Sequence, residues 1–329
     1  MSRLIEEEYY EEMMEHTVRP GLEKCKIELY LEREPGREIY CAGYLAQAAK
    51  GTVLISHGFT ENADKYMETA WYLLNAGYHV YILEHCGHGR SYRLTDDNSL
   101  VHVDSYHRYI EDLVFVAQRV KKGHPNQSLY LFGHSMGGGI AAAALAEAPG
   151  LFQGAILTSP MLRPLTGNVP WTLTKIITAI CCRVGKAENY VVGHHPYEGR
   201  EAFEASASTS RARFEYAQKF RTEEELFRQS GASYGWLRAA CGLNRALRKG
   251  AWKRIKTPLL IFQAEEDTFV SGREQEWFVK RIARQNPGNC RLIRVPGTKH
   301  EIYNAENECL ERYWGKVLRF LEECGRKND

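Results

Sequence analysis

Short apolar runs alternate with longer amphipathic stretches along most of this chain. The predicted order is a hairpin over residues 26–32 and 38–45, strand 52–57, helix 66–75, strand 79–83, helix 104–121, strand 128–132, helix 136–147 and strand 154–158. Strands that alternate with helices in this way are typical of a mostly parallel sheet with right-handed crossovers. The fold class predicted from the pattern is therefore α/β, with helices flanking a central sheet.

The alternation stops after Ser159-Pro160 and resumes at Thr257-Pro258. Beyond that point the pattern predicts strands over 258–262 and 291–295 and helices over 271–283 and 306–323. We therefore expect one α/β core made of residues 1–160 and 257–329. Residues 161–256 are predicted to form an inserted, mainly helical cap, or lid, with a helix over Thr172–Val184.

Composition limits the class of protein but does not indicate an activity. The 329 residues are 44% hydrophobic and 26% charged, and the net charge is +2, so we expect a globular protein with no nucleic-acid partner. The nine cysteines follow no framework spacing, which favours a reducing compartment. Met1–Glu15 lacks a basic start followed by an apolar stretch, and no apolar run approaches the roughly 20 residues that cross a bilayer. We expect a cytoplasmic protein; attachment to a membrane surface stays open.

The candidate nucleophile is Ser135, the centre of the G-x-S-x-G over Gly133–Gly137. A predicted strand precedes this motif and a predicted helix follows it, so the serine lies on a tight strand-to-helix turn. Glycines permit such a turn, and the helix start leaves backbone N–H groups free near the hydroxyl. We interpret Ser135 as catalytic on this context.

A serine hydroxyl needs a histidine to accept its proton and a carboxylate to orient that histidine. Asp267 and His300 follow the predicted strands 258–262 and 291–295, at the edge where open α/β sheets place their chemistry. Asp267 is the single aspartate between Ser135 and His300, and Glu265 or Glu266 remains an alternative acid.

Two backbone N–H groups are candidates for an oxyanion hole, those of Phe59 and Met136. Met136 follows the nucleophile, and Phe59 lies in the loop after strand 52–57, where Gly58 allows a sharp turn. His85 and His88 could suggest a metal pair, but no compact set of further ligands accompanies them. We interpret them as loop residues with structural hydrogen bonds and predict no metal and no cofactor.

Five stretches resemble α/β-hydrolases, in particular the branch that holds monoacylglycerol lipases, bacterial lysophospholipases and serine-aminopeptidase-like hydrolases. They are HGFTEN at 57–62, EHCGHGRS at 84–91, GHSMGG at 133–138, EEDTFV at 265–270 and GTKHEIYNAE at 297–306. The resemblance implies that Ser135 is the nucleophile, Asp267 the acid and His300 the base. In this branch Asp and Arg commonly precede the GHGRS loop, whereas Glu84-His85-Cys86 precede it here, and we expect altered local salt bridges.

The resemblance further implies a serine ester hydrolase that acts on a single-chain lipid ester, a lysophospholipid or a monoacylglycerol. A peptidase or amidase, or an acyltransferase, is the alternative enzyme, and a non-enzymatic binding module is disfavoured because all three triad residues are present. In the cap, Ile176, Ile177 and Ile180 are expected to pack onto the core. Tyr234 and Trp236 are equally compatible with packing and with substrate binding, and peripheral membrane contact through the cap remains open.

Overall fold

A computed structural model describes residues 4–326. The strands are β1 (Lys26–Glu34), β2 (Arg37–Tyr44), β3 (Gly51–Ser56), β4 (Tyr78–Leu83), β5 (Leu100–Val101), β6 (Leu129–His134), β7 (Gly154–Thr158), β8 (Gly231–Ala232), β9 (Leu259–Ala264) and β10 (Cys290–Val295). The α-helices are α1 (Tyr10–Met13), α2 (Arg19–Glu23), α3 (Met67–Asn75), α4 (Tyr106–Gly123), α5 (Ser135–Glu147), α6 (Trp171–Arg183), α7 (Arg211–Glu223), α8 (Tyr234–Lys249), α9 (Gly272–Gln285) and α10 (Asn307–Gly325).

Eight strands form the central sheet in the order β1-β2-β4-β3-β6-β7-β9-β10. The β1–β2 and β2–β4 pairs are antiparallel, and every later pair is parallel, which confirms the predicted mostly parallel sheet. Strand β3 lies between β4 and β6, so the chain leaves β3 toward one edge and later returns to its other side. Such a reversal opens a crevice at the carboxyl ends of the strands.

The central strands are buried on both faces. In β3, Leu54 belongs to one hydrophobic core, and Val53 and Ile55 belong to the other. In β6, Leu131 and Phe132 divide between the two cores in the same way. Burial on both faces explains why these strands are continuous apolar runs in the sequence instead of alternating ones.

Helices α6, α7 and α8 lie in the inserted segment, residues 161–256, between β7 and β9. The predicted packing of Ile176, Ile177 and Ile180 onto the core is wrong, because these side chains are 52%, 40% and 56% exposed. The buried positions of α6 are Thr174 and Thr178. A helix packed through two threonines leaves its apolar face uncovered. No helix within residues 4–326 is long and apolar enough to cross a membrane.

The amino-terminal residues 7–23 are helical, a feature that the sequence pattern did not lead us to predict. A 3₁₀ turn, Glu7–Tyr9, leads into α1, and a π-helical segment, Met14–Val18, joins α1 to α2. Tyr10, Met14, Val18 and Leu22 are the buried positions, four residues apart. This spacing places them on one side of the helical segment, where they join the core formed with α3 and α10.

Arg213 joins this amino-terminal segment to the inserted segment. Its side chain is fully buried, and its guanidinium donates from Nε and Nη2 to the two carboxylate oxygens of Glu68 in α3, at 2.9 and 2.8 Å. The guanidinium also lies over the ring of Tyr10 at 5.0 Å. Helix α7 is therefore held to the core by a bidentate, desolvated ion pair.

We expect Arg213→Met to lower the free energy of unfolding by about 3–5 kcal/mol, because it leaves the buried carboxylate of Glu68 without its cation. Urea denaturation monitored by circular dichroism measures this. The matched control is Arg211→Met, because Arg211 lies on the same helix, is 58% exposed and makes only surface ion pairs. Equal destabilisation by the two substitutions would contradict the buried-pair explanation.

Candidate active site

The candidate nucleophile lies at the junction of β6 and α5. Ser135 has a φ of 49°, in the left-handed region that side chains rarely adopt. Close packing leaves no room for larger residues around it: a Cβ added to Gly137 would lie 2.1 Å from the carbonyl oxygen of Ser56. A Cβ added to Gly133 would lie 2.8 Å from the Cα of Gly138. These contacts explain why glycine occupies both ends of the motif.

The three residues predicted as a triad meet at hydrogen-bonding distances. The Ser135 hydroxyl is 2.7 Å from His300 Nε2, and His300 Nδ1 is 2.7 Å from Asp267 Oδ2. The other carboxylate oxygen, Oδ1, accepts the N–H groups of Phe269 and Val270 at 2.9 and 3.0 Å. Each triad residue follows a different strand, so the sheet assembles side chains that are far apart in sequence.

The charge on Asp267 orients the histidine. Burial acts to raise the pKa of Asp267, but the hydrogen bond and charge of His300 and the two backbone N–H groups lower that pKa overall. An ionised Asp267 accepts the Nδ1–H of His300 and leaves Nε2 free to accept the proton of Ser135. The arrangement can therefore activate the serine hydroxyl.

The two alternative acids, Glu265 and Glu266, make other contacts. Glu265 accepts the backbone N–H of Gly297 at 2.9 Å and so closes the loop that leads to His300. The backbone N–H of Glu266 donates to the carbonyl of Thr298. Among the three candidates, Asp267 is the one whose carboxylate bonds His300.

Buried histidines hold the loop that carries Phe59. His57 donates from Nδ1 to the Gly58 carbonyl at 2.7 Å and accepts the His85 N–H at Nε2, at 2.9 Å. His88 accepts the Thr60 N–H at 3.3 Å. The loop histidines thus make structural hydrogen bonds, as expected. No group of three or more His, Cys, Asp and Glu residues suited to a metal ion occurs within the described part of the chain.

Glu61 binds several groups around this loop, and it was not identified from the sequence as a functional residue. Its carboxylate is buried and accepts the Gly58 N–H at 2.6 Å and the hydroxyls of Tyr66 and Tyr303 at 2.6 and 2.8 Å. Lys65 donates to it at 3.0 Å. Burial opposes ionisation, but Lys65 and the other partners keep the pKa of Glu61 well below its ordinary value. A charged Glu61 therefore ties the loop after β3 to the segment that follows His300.

Glu84 forms the altered salt bridges expected where Glu84-His85-Cys86 replace the usual residues before the GHGRS loop. This fully buried carboxylate accepts the Ala63 N–H and an Arg90 guanidinium N–H, both at 3.0 Å. Arg90 also binds Asp64 at 2.7 Å. The departure from the usual residues is thus accompanied by an ion-pair network that joins the loop to residues 63–64.

Both weak candidates from the inserted segment face the same cavity as the triad. Trp236 contacts both of the residues predicted to form the oxyanion hole: its ring centroid is 4.5 Å from that of Phe59, and its Nε1–H is 3.2 Å from the sulfur of Met136. Tyr234 lies two residues earlier and also lines the cavity. Trp236 therefore packs against both proposed oxyanion-hole residues and also forms part of the cavity wall.

The cavity above Ser135 has a volume of about 910 Å³. Apolar side chains that are also exposed line part of it, namely Leu165, Val169, Ile177, Val192 and Phe269. Polar and charged side chains line it as well, among them Gln218 and Arg221 of α7 and Glu201. The site thus combines a Ser–His–Asp hydrogen-bond chain with an amphipathic cavity. A cavity of this volume is large enough for a drug-sized ligand.

Comparison with known proteins identifies the family of the chain. The family model described as serine aminopeptidase, S33, matches residues 47–308. The chain is 30% identical over 262 residues to lysophospholipase L2 of Escherichia coli K12, covering 79% of this chain and 76% of that protein. It is 26% identical over 261 residues to monoacylglycerol lipase of Mycolicibacterium smegmatis, covering 79% and 85%.

Solved structures show the same fold. A soluble variant of monoglyceride lipase from Saccharomyces cerevisiae, in complex with a substrate analog, superimposes with a TM-score of 0.72 at 17% identity, covering 91% of this chain and 96% of that one. The fold and site define an α/β-hydrolase. By the extent of the family match, the chain belongs to the serine aminopeptidase S33 family.

The buried histidines make stability depend on pH. Burial lowers the pKa values of His57 and His134 to about 4. Because the unfolded chain, with histidine pKa values of about 6.5, binds more protons between these limits, the free energy of unfolding should fall as pH drops from 7 toward 4. We expect a loss on the order of 2 kcal/mol per histidine at about pH 5.

Urea titrations at a series of pH values measure this dependence. His134→Asn removes one of the two groups and should make the pH dependence shallower. A pH dependence that His134→Asn leaves unchanged would contradict the assignment of His134 as buried and neutral.

Proposed function

We propose that this protein is a serine ester hydrolase that acts on single-chain lipid esters through an acyl-enzyme. The observation that carries the proposal is the continuous relay from Ser135 through His300 to Asp267 at the base of an amphipathic cavity. The names of the bacterial lysophospholipase and monoacylglycerol lipase relatives support the same substrate class.

In the proposed mechanism, Ser135 Oγ attacks the ester carbonyl while His300 Nε2 accepts the hydroxyl proton. Asp267 stabilises the imidazolium that forms. The backbone N–H groups of Phe59 and Met136 are proposed to bind the oxyanion; one such donor is worth about 3–4 kcal/mol of barrier. His300 then donates its proton to the departing alcohol, and the acyl group remains on Ser135.

Water completes the cycle. His300 accepts a proton from a water molecule that attacks the acyl-enzyme, and it returns that proton to Ser135 Oγ when the fatty acid leaves. Every group in these steps is a side chain or backbone N–H of this chain. The loop held by Glu61 and the buried histidines keeps the Phe59 N–H, one of the two proposed oxyanion donors, in position before substrate arrives.

We expect Ser135→Ala to abolish hydrolysis of p-nitrophenyl esters and Asp267→Asn to lower kcat by several orders of magnitude, because triad residues act as a unit. Steady-state rates and labelling by a fluorophosphonate probe test this. Glu265→Gln is the matched control and should retain most of its activity. Turnover that persists in purified Ser135→Ala would refute the proposed nucleophile.

A second candidate, an amidase or peptidase, is favoured by the description of the family model as serine aminopeptidase. The same relay can cleave an amide, since His300 can protonate a departing amine. Monoacylglycerols, lysophosphatidylcholine and aminoacyl amides assayed side by side separate the candidates. Faster turnover of the amides would replace the ester proposal.

The proposed site of membrane contact is the uncovered face of α6. Leu173, Ile176, Ile180 and Val184 are 47–62% exposed and recur at spacings of three and four, on one side of the helix. The charged residues of α6 are Lys175 and Arg183, with no acidic residue among Trp171–Arg183. An apolar face flanked by cations suits an anionic lipid surface.

We expect Ile176→Ser combined with Ile180→Ser to weaken binding to phosphatidylglycerol-containing vesicles about tenfold or more, because two large apolar side chains no longer enter the interface. Vesicle sedimentation measures binding. Hydrolysis of a short, dissolved ester should be unchanged. Tyr30→Ser, an exposed aromatic on β1, is the control. Undiminished vesicle binding by the double variant would exclude this face.

A further inference from the structure

The cavity lining includes charged side chains as well as apolar ones. Helix α7 contributes Phe214, Gln218 and Arg221, at spacings of four and three, to one continuous stripe that lines the cavity. Ala217 and Phe220 of the same helix also line the cavity, so the α7 wall is mixed apolar and polar. Arg221 is its cationic member.

Among the described residues, two cations line the cavity, Lys65 and Arg221. Lys65 is already neutralised by two carboxylates, Glu61 at 3.0 Å and Glu301 at 2.6 Å, both of them largely buried. Arg221 has a single carboxylate partner, Glu201 at 2.6 Å, which is 54% exposed. Arg221 is thus the cavity cation that is able to accept a new anionic partner.

The guanidinium of Arg221 is incompletely satisfied. Nη1 donates to Glu201, and Nη2 donates to the Gln229 carbonyl at 2.8 Å. The Nε–H is enclosed and has no hydrogen-bond acceptor within residues 4–326. Because a guanidinium carries five N–H donors, Arg221 retains capacity for an oxygen-rich ligand. The side chain of Arg221 is 13% exposed and that of Glu201 is 54% exposed, so Glu201 is the member of the pair that can move away into solvent.

A further donor lines the same cavity as this arginine. Gln229 precedes Ser230, whose hydroxyl donates to the His195 carbonyl at 2.8 Å, so the 194–195 loop adjoins the Arg221 contact. His194 accepts the Ala232 N–H at Nδ1, which places its ring proton on Nε2. His194 also lines the cavity. Its Nε2–H is therefore a neutral donor in the lining of the same cavity.

The charge balance of the wall favours one kind of head group. Arg221 and Lys65 face three carboxylates, those of Glu61, Glu201 and Glu301, so the lining carries an excess of one negative charge. A purely anionic head group would meet this excess. A zwitterionic head group can place its phosphate on Arg221 and its ammonium on Glu201, so that each charge has a partner.

We propose that Arg221 and Glu201 form a subsite for the head group of a zwitterionic lysophospholipid, with the phosphate bound by Arg221 and the ammonium by Glu201. The inference rests on the proposed function and refines it, since a monoacylglycerol offers only hydroxyl groups to this wall. The ion pair between the two residues opens when the head group inserts between its members.

The first experiment compares two substrates with the same acyl chain, a lysophosphatidylcholine and a monoacylglycerol. We expect Arg221→Gln to lower kcat/KM for the lysophosphatidylcholine about tenfold or more and to change it less than twofold for the monoacylglycerol. Arg228→Gln is the control, because Arg228 also lies over the Tyr197 ring but does not line the cavity. Thermal melting of each variant monitors folding.

The second experiment substitutes the other member of the ion pair and tests for opposite effects on two substrates. Glu201→Gln removes the carboxylate and should lower kcat/KM for lysophosphatidylcholine several-fold. It should raise kcat/KM for lysophosphatidic acid, which has a phosphate and no ammonium, because Arg221 loses its competing anion. A side chain that only supported the fold of this wall would shift all substrates in the same direction.

Binding provides a readout that does not depend on turnover. A short-chain lysophosphatidylcholine below its micelle concentration should bind Ser135→Ala about tenfold more tightly than Ser135→Ala combined with Arg221→Gln. Equal affinities, or equal losses of kcat/KM on both substrates, would overturn the subsite. Absence of any ester hydrolysis by the unaltered protein would instead overturn the proposed function.

Discussion

The left-handed backbone at Ser135 is the constraint on which the site depends. A side chain is rarely stable at a φ of 49°, and here the turn is held between β6 and α5 by contacts that exclude a Cβ at Gly133 and Gly137. The carbonyl of Ser135 also accepts the N–H of Met161 at 2.7 Å, at the start of the inserted segment. The turn that presents the hydroxyl is thus fixed by the sheet below and by the chain above.

A polar interior surrounds this turn and gives the site its rigidity. Glu61 accepts hydrogen bonds from the backbone of the loop after β3 and from Tyr303, three residues after His300. The two halves of the site therefore share one buried carboxylate. Buried polar networks of this kind are stable only when their members are satisfied, and the neutral histidines around Gly58 satisfy the loop in the same way.

Helices α6 and α7 of the inserted segment form two walls of the cavity, and they are attached to the core in different ways. Helix α7 is joined to the core by the buried pair of Arg213 and Glu68 and by contacts with the amino-terminal helices, so its cavity-lining residues have a fixed position. Helix α6 is packed through two threonines and exposes its apolar side. The fixed wall suits recognition of a head group, whereas the exposed wall suits contact with a lipid surface.

The sequence by itself determined the alternation of buried strands and helices, the turn at Ser135 and the order of Asp267 and His300, because these features depend on local pattern and chain order. It did not reveal the roles of Glu61, Arg213 and Arg221, since a charged residue in the sequence carries no sign of whether it will be buried or which partner it will meet. The exposed face of α6 was misjudged for the same reason: apolar spacing predicts a helix face, and only tertiary packing decides whether that face is covered.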